Sequence, residues 1–373
     1  MRVDVVVVGA GVQGSSVALR LAQAGRSVVV LERAVPGAEA SSAAGGILSP
    51  GVEAAEPGPF YTLCRASLAR YAGFVAEVEA LSGMNVGLRW LGTLEVALDD
   101  DHAKILAARA EKIARHGLPV DVLDDGAVRR LEPALSPETR GALLFADEGS
   151  LDPRLLARAT YVAASRAGAR FVTGQVRRIV AEGGRVQGVE HESGRIEAEA
   201  VVLAAGSWSL QVEGHGLPAG AVRPVRGQIA VMDTRPPLLS RVVFSGHGYV
   251  VPRPDGRILV GSTMEEVGFE KAVTPGGLRH VFDVAIGIAP GLEHAPVVET
   301  WSNFRPASPD GEPILGRGAV PGLLYATGHS RNGILLAPVT ADAIAAELLG
   351  RPAPVDLAPF SPARLANLPG RRR

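Results

Sequence analysis

The N-terminus carries the pattern that most constrains this fold: a β-branched run, a glycine-spaced turn, a helical repeat, a second β-branched run and an acid. Val3-Asp4-Val5-Val6-Val7-Val8 is too short for a helix and reads as a buried parallel strand. Gly9-Ala10-Gly11-Val12-Gln13-Gly14 follows at once, after which Val17, Ala18, Leu21 and Ala22 recur at helical spacing until Gly25 stops the helix. Ser27 to Leu31 is a second buried strand, closed by Glu32. In such a unit Gly9 permits the tight turn, Gly11 lets a diphosphate approach the backbone, and Gly14 lets helix and strand pack closely. The helix N-terminus offers free N–H groups, and Glu32 stands where a carboxylate accepts from ribose hydroxyls. The unit predicts dinucleotide binding; a purely structural βαβ turn is the bland alternative. It does not separate NAD from FAD.

Two later segments make that separation. Ile196 to Ala200 leads into Val201-Val202-Leu203-Ala204-Ala205-Gly206-Ser207-Trp208, an apolar strand stopped by glycine. Leu323-Leu324-Tyr325-Ala326-Thr327-Gly328 is another, running through His329-Ser330-Arg331-Asn332-Gly333 into a helix from about Ala337 to Leu349, closed by Gly350. A late strand–glycine–helix unit aims a second helix N-terminus at the cofactor's far end, where it stabilises negative charge on a reduced flavin ring. Nicotinamide dehydrogenases have no general need of it, so the reading tips to FAD.

Composition closes off other classes. A net charge of −1 argues against a nucleic-acid protein. With 47% hydrophobic residues and no long charge block, disorder is excluded. The single cysteine, Cys64, rules out a disulfide framework or a cysteine-clustered metal site, and the chain is expected to be cytoplasmic. Neither a secretory leader nor a transmembrane stretch is evident, and Arg371-Arg372-Arg373 reads as a solvated tail. The histidines are scattered singly, so no metal is assigned.

The length of 373 residues calls for about two domains. The expected class is α/β: a Rossmann-like FAD-binding domain over 1–85, 146–220 and 306–373, interleaved with a mostly antiparallel β-sheet substrate domain over 86–145 and 221–305. Asp99 to Gly117 reads as a charged amphipathic helix with a solvated face, and Asp152-Pro153 as a capped helix start. From Val222 to Arg305 most of the texture is strand.

Phe244 to Met264 reads as a hairpin with a Pro254-Asp255-Gly256 turn, placing His247, Tyr249 and Val251 on one face. The Tyr249 hydroxyl can bond a small polar ligand or simply water. Arg305 precedes proline and is therefore extended, sharing a face with Trp301 and Asn303. Its guanidinium suits a bidentate ligand carboxylate or an internal Asp or Glu, and Arg331 has the same two readings.

Together these stretches resemble the D-amino-acid-oxidase-like FAD amine oxidoreductases, almost end to end, and within them the glycine-oxidising branch that serves thiamine biosynthesis. The most specific are Gly328 to Pro338, His247 to Arg253, Arg305-Pro306 with Asp310-Gly311, and the flavin-covering loop Ser41 to Leu48. The resemblance implies that Arg305 clamps the substrate carboxylate, Tyr249 adds a hydrogen bond, Arg331 borders flavin and substrate, and Met264 lines the pocket. It implies cofactor contacts from Gly9, Gly11, Val12, Gln13, Gly14, Glu32, Arg33, Ala40, Ser41, Gly45, Gly46, Ile47, Val176 and the stretch His329, Ser330, Arg331, Asn332, Gly333, Ile334 and Leu335. Ala40-Ser41 departs from the family with one hydroxyl residue where two are frequent. Cys64 lies in no covalent-attachment motif, so FAD is expected to be non-covalent.

The implied activity is oxidative deamination of glycine, with sarcosine or small D-amino acids as further substrates. Hydride passes to flavin, giving imine or glyoxylate, ammonia and, with dioxygen, hydrogen peroxide. The implied partner is a thiazole synthase receiving the imine, and the implied assembly a homotetramer. The alternatives are a flavin dehydrogenase of D-amino or N-methyl amino acids with another electron acceptor, and a non-catalytic flavin-binding scaffold.

Overall fold

A computed structural model describes residues 1–54 and 56–367; the arginine tail lies outside them. Among these residues the chain builds two eight-stranded sheets. In the first, Arg2–Val8 is central, flanked in parallel by Val28–Glu32 and Gly194–Leu203, with Arg170–Thr173 and Leu323–Thr327 outside them. Val176–Glu182 and Arg185–His191 extend it as an antiparallel meander. The apolar runs have no polar alternation because both faces are covered. Val5, Val7, Val28 and Val30 pack towards the helices Val12–Gln23, Pro59–Ser82, Pro153–Arg166 and Ala337–Leu349, while Val6, Val8, Val29 and Leu31 pack towards the meander.

The second sheet runs Val297–Ala307, Arg223–Asp233, Arg257–Gly261, Gly248–Pro252, Val242–Ser245, Thr93–Ala97, Gly141–Phe145 and Asp121–Leu123. Its pairings are antiparallel except that of Val242–Ser245 with Thr93–Ala97. Alternation sorts its side chains. Ala230, Met232, Val243, Val250 and Val260 lie under Val281, Ala285 and Ile288 of the helix Pro275–Ile288, while Ile229, Val231, Phe244, Val251 and Leu259 face the other way.

The helix Pro275–Ile288 interrupts a region whose texture reads as strand. The Thr274 hydroxyl caps it by accepting from Gly277 N–H, with Pro275 in its first turn. The expected single hairpin is two: Val242–Ser245 turns through Gly246-His247 into Gly248–Pro252, so His247 stands in a turn and not on the strand face with Tyr249. The helix Asp100–Arg115 is more than a solvated face, since Leu106, Ala110 and Ile113 are buried and Arg109 reaches inwards.

Candidate active site

One long cavity lies between the first sheet's C-terminal strand ends and the second sheet's unhelixed face. Glycines shape its nucleotide end. Gly9 adopts a φ of +99°, and a Cβ there would stand 2.6 Å from the Ala204 carbonyl oxygen; a Cβ on Gly14 would overlap the Gly9 carbonyl. The helix Val12–Gln23 thus starts pressed against the strand end, with Val12 N–H donating to Ser41 Oγ at 2.9 Å. The Glu32 carboxylate accepts from the amides of Ala10 (2.9 Å) and Ala34 (3.1 Å), which holds it at the cavity wall.

The loop Ala40 to Leu48 is pinned from the second sheet. Half-buried Arg253 donates to the carbonyls of Gly45 (2.9 Å) and Leu151 (2.6 Å), and Trp301 Nε1 donates to Ala43 O at 3.2 Å. The late loop 328–336 is held from behind. Tyr71 and Ser67 of the helix Pro59–Ser82 donate to the carbonyls of Ile334 (2.5 Å) and Leu335 (2.6 Å). Gln13 Nε2 donates to Gly333 O at 2.6 Å, and His329 meets Thr340 Oγ1 at 3.1 Å. Burial pulls the His329 pKa down to about 3, so this imidazole is neutral.

At the other end stand Tyr249, Arg305, Arg331 and Glu53. Register explains the first two. Arg305 pairs with Val225, Asn303 with Gly227, Trp301 with Ile229 and Tyr249 with Gly261, so all these side chains share the cavity face. Gly227 makes room for Arg305: a Cβ there would lie 2.7 Å from the guanidinium carbon. Arg305 donates to the Thr263 carbonyl at 3.1 Å and to the Ser262 hydroxyl, and among the described residues it has no ion pair. Burial pulls its pKa below the ordinary arginine value, opposed by neighbouring Tyr249. Arg331 pairs with Glu53 at 2.8 Å, which raises its pKa. The two arginines thus divide between the two readings open to each. Arg331 has an internal carboxylate, and Arg305 does not.

Most residues expected at the site line this one cavity: Gly9, Gly11, Val12, Gln13, Glu32, Arg33, Ala40, Ser41, Gly45, Gly46, Ile47, Val176 and His329 to Ile334, with Tyr249 and Arg305. Three do not. Gly14 acts through packing, and Leu335 is buried behind the loop in the core. Met264 is 62% exposed and off the cavity, because the strand ends at Gly261 and Arg305 takes the Thr263 carbonyl, turning the next residue outwards. The sequence alone points to no role for Glu53, Arg253, Tyr71 or Ser67, because their partners are remote in the chain, although Arg253 closes the family-like stretch His247 to Arg253.

The residues fit FAD. The Gln13 Oε1 is buried with no partner beside an open helix N-terminus, the glycine cradle would be filled by any Cβ, and Glu32 offers a carboxylate at the ribose position. Arg33 stacks 3.8 Å from the Trp208 ring centre at the same end. Cys64, the chain's single cysteine, is fully buried in the helical core and does not line the cavity.

Comparison with known proteins agrees with this geometry. The family model described as DAO, FAD dependent oxidoreductase, matches residues 4–347. A bifunctional protein ThiO/ThiG from Synechocystis is 36% identical over 97% of this chain and 54% of its own length, so the chain spans about half of that relative. The crystal structure of glycine oxidase from Geobacillus kaustophilus superposes with a TM-score of 0.94 at 32% identity, covering 99% of this chain and 100% of that one. Iminodiacetate oxidase from Chelativorans gives a TM-score of 0.86 at 30% identity, covering 96% and 98%.

Proposed function

The chain belongs to the DAO family of FAD-dependent oxidoreductases, and from that premise we propose that it oxidises the amine of a small α-amino acid, glycine first, with sarcosine or small D-amino acids as further substrates. The observation that carries this reading is Arg305: a half-buried arginine whose desolvated guanidinium stands on the cavity wall beside Tyr249, with no carboxylate partner among the described residues. A buried charge wants a counterion, and a substrate carboxylate matches the planar fork in bidentate fashion.

Arg305 holds the carboxylate, and the Tyr249 hydroxyl adds a hydrogen bond, so the substrate's Cα is presented in one orientation. Gly227 and the Ser262 and Thr263 contacts keep the guanidinium from swinging away. His329 stays neutral and adds no competing charge. FAD held along this cavity would supply the two-electron oxidation of the neutral amine to an imine, with dioxygen as final acceptor, reduced to hydrogen peroxide. Water then converts the imine to glyoxylate and ammonia. The ThiO/ThiG relatives are bifunctional, which supports handing the imine to a thiazole synthase in thiamine biosynthesis. No helix among the described residues is long and apolar enough to cross a membrane; a cytoplasmic location is part of the proposal and rests on the chain's single cysteine.

An aerobic assay with glycine tests this reading. Equal amounts of glyoxylate, ammonia and peroxide are expected. Turnover only with an artificial acceptor moves the enzyme to the dehydrogenases, and no turnover with glycine, sarcosine or D-alanine refutes the substrate class.

A further inference from the structure

We propose that Glu53 is a specificity-determining residue: by occupying Arg331 it leaves the substrate end with one unmatched cation, selecting monocarboxylates over dicarboxylates. This rests on the amino-acid reading of the site.

Among the described residues, six ionised side chains line the cavity: Glu32, Arg33, Glu39, Glu53, Arg305 and Arg331. The first three settle among themselves and their neighbours at the cofactor end. Glu32 is held by two amides, and Arg33 pairs with Glu39 at 3.0 Å, which also takes Lys271. At the other end two guanidiniums meet one carboxylate, and the net single positive charge suits one ligand carboxylate. The three groups act on one another: Arg331 lowers the Arg305 pKa, while Glu53 raises it.

Glu53 is not a side chain that drifted to a nearby cation. It ends the short turn Pro50–Glu53, which is gripped at both ends. Buried Glu148 accepts from Gly51 N–H at 2.5 Å and from the Ser49 hydroxyl, satisfying the turn's free donors. Arg109, itself paired with Glu95, donates to the carbonyls of Gly51 and of Val52, the latter at 3.3 Å. Gly51 lies flat on Phe145, where a Cβ would stand 2.8 Å from the ring's Cγ. The Glu53 side chain is only 14% exposed, whereas that of Arg331 is 42% exposed at the rim. A carboxylate fixed in this way offers Arg331 a partner before any ligand arrives. A second ligand carboxylate must then displace it and meet its repulsion, which is discrimination by an unfavourable contact.

Equilibrium binding to the holoenzyme, followed by perturbation of the flavin visible band, tests this with two non-oxidisable ligands. Glutarate has the dicarboxylate skeleton of iminodiacetate, and butyrate is the same chain with one carboxylate fewer. Glu53→Gln is expected to tighten glutarate at least tenfold relative to butyrate. The added Arg331→Gln substitution is expected to cancel that gain. Arg331→Gln alone, which leaves Glu53 unpaired, should weaken glutarate about tenfold relative to butyrate. A ratio unmoved by Glu53→Gln, or a gain that survives removal of Arg331, overturns the proposal. Failure of the amino-acid reading would show separately, as wild-type flavin that glycine, sarcosine and D-alanine do not reduce while both carboxylates still bind.

Discussion

On the nucleotide wall of the cavity the working groups are backbone: glycines at Gly9, Gly11 and Gly14, the first amides of the helix Val12–Gln23, and one carboxylate, Glu32, held by amides. On the substrate wall they are side chains, Tyr249, Arg305, Arg331 and Glu53, from four separate places in the chain. The first wall is made by a contiguous unit whose geometry is local. The second depends on strand register and on one ion pair spanning 278 residues. Damage to the first should therefore remove the cofactor, and damage to the second should spare it and strike the substrate.

Gly14→Ala should show the largest effect. The new Cβ overlaps the Gly9 carbonyl and pushes helix from strand, at a cost of about 1–3 kcal/mol in stability. The purified protein should be colourless, read as the ratio of flavin to protein absorbance. Full flavin occupancy would break the contrast from the nucleotide side. Arg305→Ala is the matching test opposite. It should keep its flavin while kcat/KM for glycine falls about 100-fold, near 3 kcal/mol, as when a buried charge loses its partner.

Gly227→Ala sharpens the comparison, because it changes the substrate wall through a glycine. Its Cβ crowds the Arg305 guanidinium, so the KM for glycine should rise about tenfold with flavin content unchanged. A loss of flavin instead would mean that glycines on both walls serve the cofactor.

The smallest effect concerns the support of the substrate wall. Burial pushes the Glu148 carboxyl up to about 8 from an ordinary value of 4.5. Between those values the folded chain keeps a proton that the unfolded chain releases. Its contribution to stability is therefore complete below about 4.5 and is lost as pH rises through about 8. Glu148→Gln cannot ionise, so its Tm should decline less than the wild type's across that window, by a few degrees in a thermal melt. Parallel declines would remove Glu148 from that role.

The same contrast explains what the sequence shows. Val3 to Glu32 is legible because strand, turn, helix and acid follow one another, and Leu323 to Gly350 is legible for the same reason. Arg305 is visible as an extended arginine, yet its lack of an internal partner emerges only when Gly227, Ser262 and Thr263 surround it. Glu53 sits in an unremarkable Pro50-Gly51-Val52-Glu53 stretch, and nothing nearby points to Arg331. The helix Pro59–Ser82 escapes the reading because Arg65 and Arg70 interrupt its apolar residues, although its Ser67 and Tyr71 hold the late loop. Met264 fails for a different reason: only the resemblance puts it in the pocket, and the strand that would carry it has already ended at Gly261, leaving the side chain exposed.

The central claim is that a carboxylate held by Arg305 presents glycine to the flavin. The most direct test is anaerobic mixing of the holoenzyme with glycine, with and without acetate, following the flavin's visible band. The account predicts bleaching that saturates with glycine and is slowed competitively by acetate, since both ligands need the same guanidinium. Flavin that glycine leaves yellow, or bleaching indifferent to acetate, would contradict it.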